Sequence, residues 1–223
     1  ALDFVFGQDY SNPPESAVEK LEKSTYYRVL LYLTVPIHFA ALIGCAWWVA
    51  TQDLSALEFI ALALSLGVVN GLALNTGHEL GHKKSSFSRW MAKLVLAVVG
   101  YGHFFIEHNK GHHRDVATPL DPATSQMGEN IYIFSLREIP GAFKRAWHLE
   151  KERTLKTEIP QPMVVTVLLY GALIAAFGTI MLVFLPIQMA YGWWQLTSAN
   201  YIEHYGLLRE KLPNGRYEHQ QPR

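Results

Sequence analysis

Two long apolar runs near the start of the chain constrain its fold more than any other feature. They cover residues 26–50 and 54–77, and each contains one charged residue near an end, Arg28 in the first and Glu58 in the second. About 20 apolar residues in a helix are enough to cross the hydrocarbon core of a bilayer. Because only three residues separate the runs, they predict a helical hairpin that spans a membrane.

A second hairpin is expected from residues 163–185 and 187–202. Its turn is expected near Pro186, because proline does not easily continue a helix. Residues 90–106 are also mostly apolar, but this run is only 17 residues long and contains Lys93. We interpret it as a bent, half-embedded helix that returns to the side from which it entered. The predicted fold is therefore all-α, a polytopic membrane bundle of two helical hairpins plus a half-embedded helix.

The distribution of lysine and arginine predicts the orientation of this bundle. The turns at residues 51–53 and around Pro186 carry none, whereas residues 83–93 carry four and residues 107–160 carry eight. Cytoplasmic loops of membrane proteins are rich in these two residues. The polar loops are therefore expected to face the cytoplasm. A complete crossing by residues 90–106 would place the histidines before and after it on opposite sides of the membrane.

Those histidines form two short clusters, each directly after an apolar run. The first is His78-Glu-Leu-Gly-His82, and the second is His108-Asn-Lys-Gly-His112-His113. Neutral imidazole is a common ligand of transition metals. A spacing of four residues places two rings on one face of a helix, where they can converge on an ion. The sequence therefore predicts a histidine-rich metal site at the cytoplasmic side of the membrane.

Taken alone, the first cluster matches the HExxH pattern of zinc peptidases, in which Glu79 would be the general base. Five histidines exceed the three or four ligands of one zinc ion, so they favour two metal ions. His204 follows the last apolar run on the same predicted side and is a candidate sixth ligand. Metal-bound histidines usually donate their second N–H to a carboxylate or a carbonyl. The candidates for such supporting roles are Glu79, His103, Glu107, Asp115, Asp121 and Glu203.

The residue types present further restrict the metal, the substrate and the source of electrons that the site can use. Nitrogen ligands without thiolate suit iron, which can activate O2, and the single cysteine excludes a cysteine-ligated iron–sulfur cluster within the chain. A site beside apolar helices implies an apolar substrate. No complete nucleotide-binding fingerprint is present, so electrons are expected from an acidic partner protein that docks on Lys83, Lys84, Lys110 and Arg114. The net charge is zero, and nothing indicates nucleic acid.

Three segments together resemble the bacterial membrane-bound alkane 1-monooxygenases, the non-haem di-iron alkane hydroxylases. They are residues 75–84 (NTGHELGHKK), 107–119 (EHNKGHHRDVATP) and 193–206 (WWQLTSANYIEHYG). The resemblance implies hydroxylation of medium-chain n-alkanes to 1-alkanols with O2, two non-haem iron ions and electrons from rubredoxin, itself reduced by a rubredoxin reductase. It also implies a fatty-acid-desaturase-like architecture in the bacterial inner membrane. By motif position, the expected iron ligands are His78, His82, His108, His112, His113 and His204.

The family pattern includes two spans before this stretch and a third histidine box after it. Residues 1–223 are therefore expected to be a single integral membrane catalytic domain that is a piece of a longer protein. Three other functions stay open at this point. They are a membrane fatty-acyl desaturase or hydroxylase, an HExxH zinc membrane peptidase and a non-enzymatic metal carrier.

Overall fold

The computed structural model describes Pro14, Ser16, residues 24–153 and residues 158–218, and the elements in these ranges are helical. In chain order they are α1 (Thr25–Thr51), α2 (Ala56–Gly81), α3 (Ser86–Ala97), α4 (Phe104–Glu107), a π-helical segment (His108–His112), α5 (His113–Asp115), α6 (Ile131–Arg153), α7 (Pro160–Phe177) and α8 (Met181–His204). The β pairing within the described ranges is an isolated bridge between Lys211 and Tyr217. The predicted all-α fold is confirmed.

The first hairpin has the expected form. Helices α1 and α2 are both long and apolar enough to cross a membrane, and so is α7. The turn after α1 ends at a capping box. The Ser55 hydroxyl accepts the N–H of Glu58 at 3.3 Å, while the Glu58 carboxylate accepts the N–H of Ser55 at 2.8 Å. Two backbone donors that the helix start leaves unpaired are satisfied in this way, which fixes where α2 begins.

The turn of the second hairpin was predicted at the wrong place. Helix α7 ends at Phe177, and Gly178 follows it with a φ of 85°. Its ψ is −177°, a backbone conformation that glycine adopts without a steric penalty and that ends the helix. Pro186 lies inside α8 instead, where neighbouring helices can compensate for the lost backbone hydrogen bond. Helix α8 is long enough to span, at 24 residues, but it is more polar than the three helices named above.

Buried polar side chains connect four of these helices. The Asn70 amide of α2 donates to the Gln188 side-chain oxygen of α8 at 3.2 Å, and His38 of α1 lies 3.3 Å from the Asn70 side-chain oxygen. Gln188 donates to the Tyr170 hydroxyl of α7 at 2.7 Å, and that hydroxyl donates to the carbonyl of Val98 at 2.8 Å. Paired polar groups of this kind hold helices together in an apolar surrounding. They also anchor the turn that follows α3.

The region predicted as one bent helix consists of two short helices separated by a turn. Helix α3 has 12 residues, a length of about 18 Å, which is well short of the roughly 30 Å hydrocarbon core. The chain then turns through residues 98–103, where Gly100 has a φ of 63°, and enters α4. This turn brings the second histidine cluster next to the first, as the prediction of a returning segment required.

An alanine at Gly77 is expected to destabilise the contact between α2 and α3. A Cβ at this position would lie 2.6 Å from the side chain of Leu96, and Leu96 is completely buried. Overpacking of this kind costs about 1–3 kcal/mol. Thermal unfolding of the detergent-solubilised protein measures the effect. The matched control is Gly44→Ala in α1, where a Cβ has no neighbour within 4 Å and alanine favours the helix. Equal melting temperatures for the two variants would contradict the close packing.

Candidate metal centre

The first histidine pair lies at the C-terminal end of α2, with His82 as the residue that follows it. His78 and His82 are four residues apart, and their ring centroids are 4.7 Å from each other. The His82 N–H donates to the carbonyl of His78 at 3.2 Å, so the chain is still helical at the second histidine. Both rings therefore project from the same face of α2, as the sequence predicted.

The second cluster lies on a turn that is wider than an α-helical turn. In the π-helical segment the N–H of His113 is bonded to the carbonyl of His108, five residues earlier. This wider turn places His112 and His113, four and five residues along the chain, on either side of His108. Such segments are frequent at functional sites. The rings of His112 and His113 accordingly lie 5.3 and 4.4 Å from that of His108.

Four of the histidines form one group that could hold a metal ion. One ring nitrogen from each of His78, His82, His108 and His113 lies within 4.8 Å of the other three. The Nε2 atoms of His82 and His113 are 3.2 Å apart. Imidazole nitrogens at this separation suit iron, zinc or copper.

His108 lies at the buried side of this four-histidine group. Its Nε2 atom is buried and has no hydrogen-bond partner among the described residues, an arrangement that costs free energy unless something binds there. Burial, together with the charges of the neighbouring histidines, lowers the pKa of His108 to about 2. The ring is therefore neutral near pH 7, the form that binds metals. The donor set and the unpaired nitrogen both fit a metal ion.

The other two predicted ligands form an adjacent pair. The ring centroids of His112 and His204 are 5.0 Å apart, and the Nδ1 atom of His112 lies 3.1 Å from a carboxylate oxygen of Asp121. Burial alone would lower the pKa of His112, but the hydrogen bond and the charge of Asp121 hold it above its usual value. This contact leaves Nε2 of His112 available, an arrangement typical of a metal-binding histidine. The predicted site residues are thus divided into a group of four and a pair.

The predicted supporting residues occupy different surroundings. Asp121 contacts His112, as described above. Glu107 and Asp115 are buried and pair with Arg145 of α6. Glu79 and Glu203 are exposed, and neither side chain makes a hydrogen bond or ion pair with any residue that the structure describes.

Comparison with known proteins places this architecture in a family. The family model described as fatty acid desaturase matches residues 55–223. The chain belongs to the fatty acid desaturase family. Within it, the chain is 75% identical to alkane 1-monooxygenase 1 of Alcanivorax borkumensis. It is 74% identical to an alkane 1-monooxygenase of Pseudomonas putida and 72% identical to one of Ectopseudomonas oleovorans.

Each of these three alignments covers 99% of the chain and 57% of the relative. The chain thus spans a little over half the length of the curated relatives it matches. The resemblance to alkane 1-monooxygenases is confirmed, as is the desaturase-like family.

Sequence reasoning missed the residue that connects the carboxylates of this desaturase-family site. Arg145 reaches Glu107 at 3.4 Å and Asp121 at 3.3 Å, donates to the carbonyl of Gly111 at 3.2 Å, and pairs with Asp115. It therefore holds the π-helical segment and the following loop against α6. Helical spacing indicated only that the side chain faces inward, since Arg145 lies three residues after the buried Ala142 and four before the buried Leu149.

The basic surface predicted for an electron carrier is less basic than its sequence indicates. Lys110 pairs with Glu150 of α6, and Arg114 pairs with the neighbouring Asp115 at 2.8 Å. Paired charges contribute little to the field that attracts a partner. Lys83, which is half-buried, and Lys84, which is exposed, are the stronger candidates for steering.

Proposed function

We propose that the protein containing this chain hydroxylates the terminal methyl group of medium-chain n-alkanes at two non-haem iron ions. The observation that carries the proposal is the convergence of six histidines, as a group of four and an adjacent pair, at the ends of apolar helices. The three relatives described above bear the name alkane 1-monooxygenase, which supports the same chemistry. The overall reaction is R–CH3 + O2 + 2e⁻ + 2H⁺ → R–CH2OH + H2O.

Different side chains would hold the two metal ions of the proposed centre. In the proposal, the four-histidine group holds one ion, and His112 and His204 contribute to the second. Bound iron would supply the O2 activation that no amino-acid side chain provides. Asp121 would orient His112 by accepting a hydrogen bond from Nδ1–H, which leaves Nε2 to bind a metal ion. Arg145 keeps Asp121 and the π-helical segment in place.

The apolar helices would bind the alkane and exclude water. An alkane has no polar group to orient it, so the shape of an apolar pocket must select it. Each methylene contact discriminates between chain lengths by about 1–3 kcal/mol at most. The lysine and arginine residues in 83–93 and 107–160 support a site that faces the cytoplasm of a bacterial inner membrane, where rubredoxin would deliver the electrons.

Metal content and product analysis of the full-length protein test this proposal. Two iron ions per chain with little zinc, and 1-alkanol as the product from n-octane, are the expected results. Zinc as the resident metal, together with peptide hydrolysis that requires Glu79, would overturn it. That alternative would leave His108 and His113 dispensable, whereas both lie in one group with His78 and His82.

A fatty-acyl desaturase or hydroxylase is the second candidate, and membership of the fatty acid desaturase family favours it. Acyl substrates carry a polar head group, which an alkane lacks. Parallel assays with n-alkanes and with acyl thioesters separate the two functions by their products.

Reversing two charges beside the first cluster is expected to slow electron delivery. The double variant Lys83→Glu/Lys84→Glu should lower rubredoxin-driven turnover about tenfold at low ionic strength, because surface charges raise association rates by 10-fold or more. Added salt should reduce the difference in turnover between the double variant and the wild type, since the Debye length falls to about 8 Å at physiological ionic strength. Turnover driven by a small uncharged reductant, and iron content, serve as controls. If rubredoxin-driven turnover changes neither with salt nor with the charge reversal, the electron donor docks elsewhere.

A further inference from the structure

One face of α6 is apolar and exposed. The residues of this outer face recur every three or four positions, as on one side of a helix, with Ile133 beside them. They are Tyr132, Leu136, Pro140, Phe143 and Trp147. Tyr132, Ile133 and Leu136 are 66%, 63% and 79% exposed, and Trp147 is 45% exposed. An exposed apolar patch of this kind marks a contact with a partner or with a membrane.

The opposite, inner face of α6 packs on the rest of the protein. Its members lie two or three residues after members of the outer face, and a step of two residues turns an α-helix by about 200°. The buried apolar ones are Phe134, Ala142, Ala146 and Leu149. Helix α6 is therefore apolar on two opposite sides, and a helix of this kind is normally buried on both.

The contacts of α6 with α8 place the first half of α6 on the membrane side of His204. The ring of Tyr132 stacks on that of Trp194, with the centroids 5.6 Å apart. Six residues further along α6, the carboxylate of Glu138 accepts a hydrogen bond from Thr197 at 2.7 Å. Trp194 and Thr197 precede His204 by ten and seven residues, which is about 15 and 10 Å along a helix.

The length of α8 shows how deep these contacts lie. Helix α8 has 24 residues, or about 36 Å, whereas the hydrocarbon core of a bilayer is about 30 Å thick. When α8 spans the bilayer, about four of its residues lie outside the core. Even if all of them lie at the His204 end, Trp194 and Thr197 stay within the core, and tilting α8 would place more of it there. The first half of α6 is therefore level with the acyl chains of the lipid.

The second half of α6 has the residue types of a membrane interface. Trp147 lies three residues after Lys144 and four before Lys151, and both lysines are exposed, so the three side chains share one side of the helix. Tryptophan is enriched where acyl chains meet head groups. Lysine places its apolar stem along such a surface while its ammonium group reaches water or lipid phosphate. Interfaces with other proteins are, by contrast, depleted in lysine.

We propose that α6 lies partly immersed in the membrane interface, with its outer face in contact with lipid. The occupant of this face is the bilayer itself, and neither an aqueous protein partner nor a second copy of the chain. The inner face carries Arg145, which contacts the carboxylates beside the histidines. The width of one helix, about 10 Å, thus separates the lipid from the candidate metal centre. This inference does not depend on the reaction proposed above.

Spin labels on the full-length protein test this contact, because every segment that could cover the outer face is then present. The protein is placed in vesicles of phosphatidylethanolamine and phosphatidylglycerol, and Leu136→Cys carries the label in a background without other cysteines. Molecular oxygen concentrates in lipid, whereas a chelated nickel ion stays in water. The label should therefore be relaxed strongly by oxygen and weakly by nickel, as for a lipid labelled along its acyl chain. The matched control is Asn214→Cys, which is exposed in the turn that follows α8 and should respond to nickel.

Two results would overturn the proposal. A Leu136→Cys label that nickel relaxes as strongly as the Asn214→Cys label would place the outer face in water. A label that neither reagent reaches would show that another part of the protein, or a second copy, covers this face. Ile133→Cys, beside the same face, repeats the measurement if Leu136→Cys does not fold.

A charge on the outer face gives a second measurement, without a label. In the same vesicles, Leu136→Asp should lower the melting temperature by several degrees more than Leu136→Asn, because a carboxylate is costly in the apolar part of a bilayer. The two residues have similar helix propensities, so the comparison isolates the charge. Equal melting temperatures for Leu136→Asp and Leu136→Asn would show that residue 136 lies in water and would overturn the lipid contact.

Discussion

Replacing His108 with alanine is expected to remove most of the metal and nearly all hydroxylation from the full-length protein. His108 lies at the buried side of the four-histidine group, with its ring 4.2 Å from that of His78 and 4.4 Å from that of His113. Loss of an outer-shell partner already costs about 10–100-fold in metal affinity or activity, so loss of a direct ligand should cost at least 100-fold. Elemental analysis measures the metal, and gas chromatography measures the 1-alkanol.

The matched control is His148→Ala. His148 is exposed on α6 and lies outside both histidine groups, so this variant should keep its iron and its turnover. A His108→Ala protein that keeps both would show that the four-histidine group is not the metal site.

The same variant should alter the acid sensitivity of the metal-free protein. The pKa of His108 is lowered to about 2 in the folded state, against about 6.5 in an unfolded chain. Between these values the unfolded state binds a proton that the folded state does not, so stability is lost as the pH falls below about 6.5. Removing His108 removes this contribution, and the melting temperature of metal-free His108→Ala should therefore fall less between pH 7 and pH 5. Identical pH dependence in the two metal-free proteins would contradict the buried position of His108.

Much of the fold follows from one-dimensional patterns. Apolar runs of membrane length, with a short polar link between them, were sufficient to predict the first hairpin. The second hairpin shows where such reasoning fails. Pro186 and Gly178 both interrupt helices in isolation, but only the glycine ends one here, because its φ of 85° lies outside the helical conformation. Which of the two residues ends a helix depends on packing against α2 and α7. The sequence pattern does not contain that information.

The sequence pointed to the histidines of the candidate site but not to their arrangement. Spacing within the two clusters pointed to five histidines, and the position of His204 after the last apolar run pointed to a sixth, while their role as ligands stays a prediction. Their division into a group of four and a pair depends on the π-helical turn, which places His112 toward His204 and His113 toward His82. The role of Arg145 depends on tertiary contact, since its partners lie 24 to 38 residues away along the chain. A single arginine in an amphipathic helix gives no sign of such distant partners.

Replacing Arg145 with methionine is expected to destabilise the protein by about 3–5 kcal/mol, because removing one partner of a buried ion pair leaves an uncompensated charge. Its carboxylate partners Glu107, Asp115 and Asp121 are 4%, 8% and 2% exposed. Asp121 would keep its contact with His112, and Asp115 would keep Arg114. Glu107 would lose the ion pair that the structure gives it. Chemical unfolding in detergent measures the loss, and metal content should fall with it, because Arg145 also holds the carbonyl of Gly111.

The control and the pH dependence make this prediction specific. Arg114 contacts the same Asp115, but its side chain is 63% exposed, so Arg114→Met should cost no more than about 1 kcal/mol. Burial, together with the charge of Asp121, already raises the pKa of Glu107 to about 7, and loss of Arg145 should raise it further. In the folded variant Glu107 stays protonated up to a pKa above 7, whereas in the unfolded chain it loses its proton at a pKa of about 4.5. The free energy of unfolding of the variant therefore decreases as the pH rises through this range. The free energy of unfolding of Arg145→Met should therefore lie further below that of the wild type at pH 8 than at pH 6. Equal deficits at the two pH values, or equal costs for the two arginine variants, would show that Arg145 does not act by neutralising these buried carboxylates.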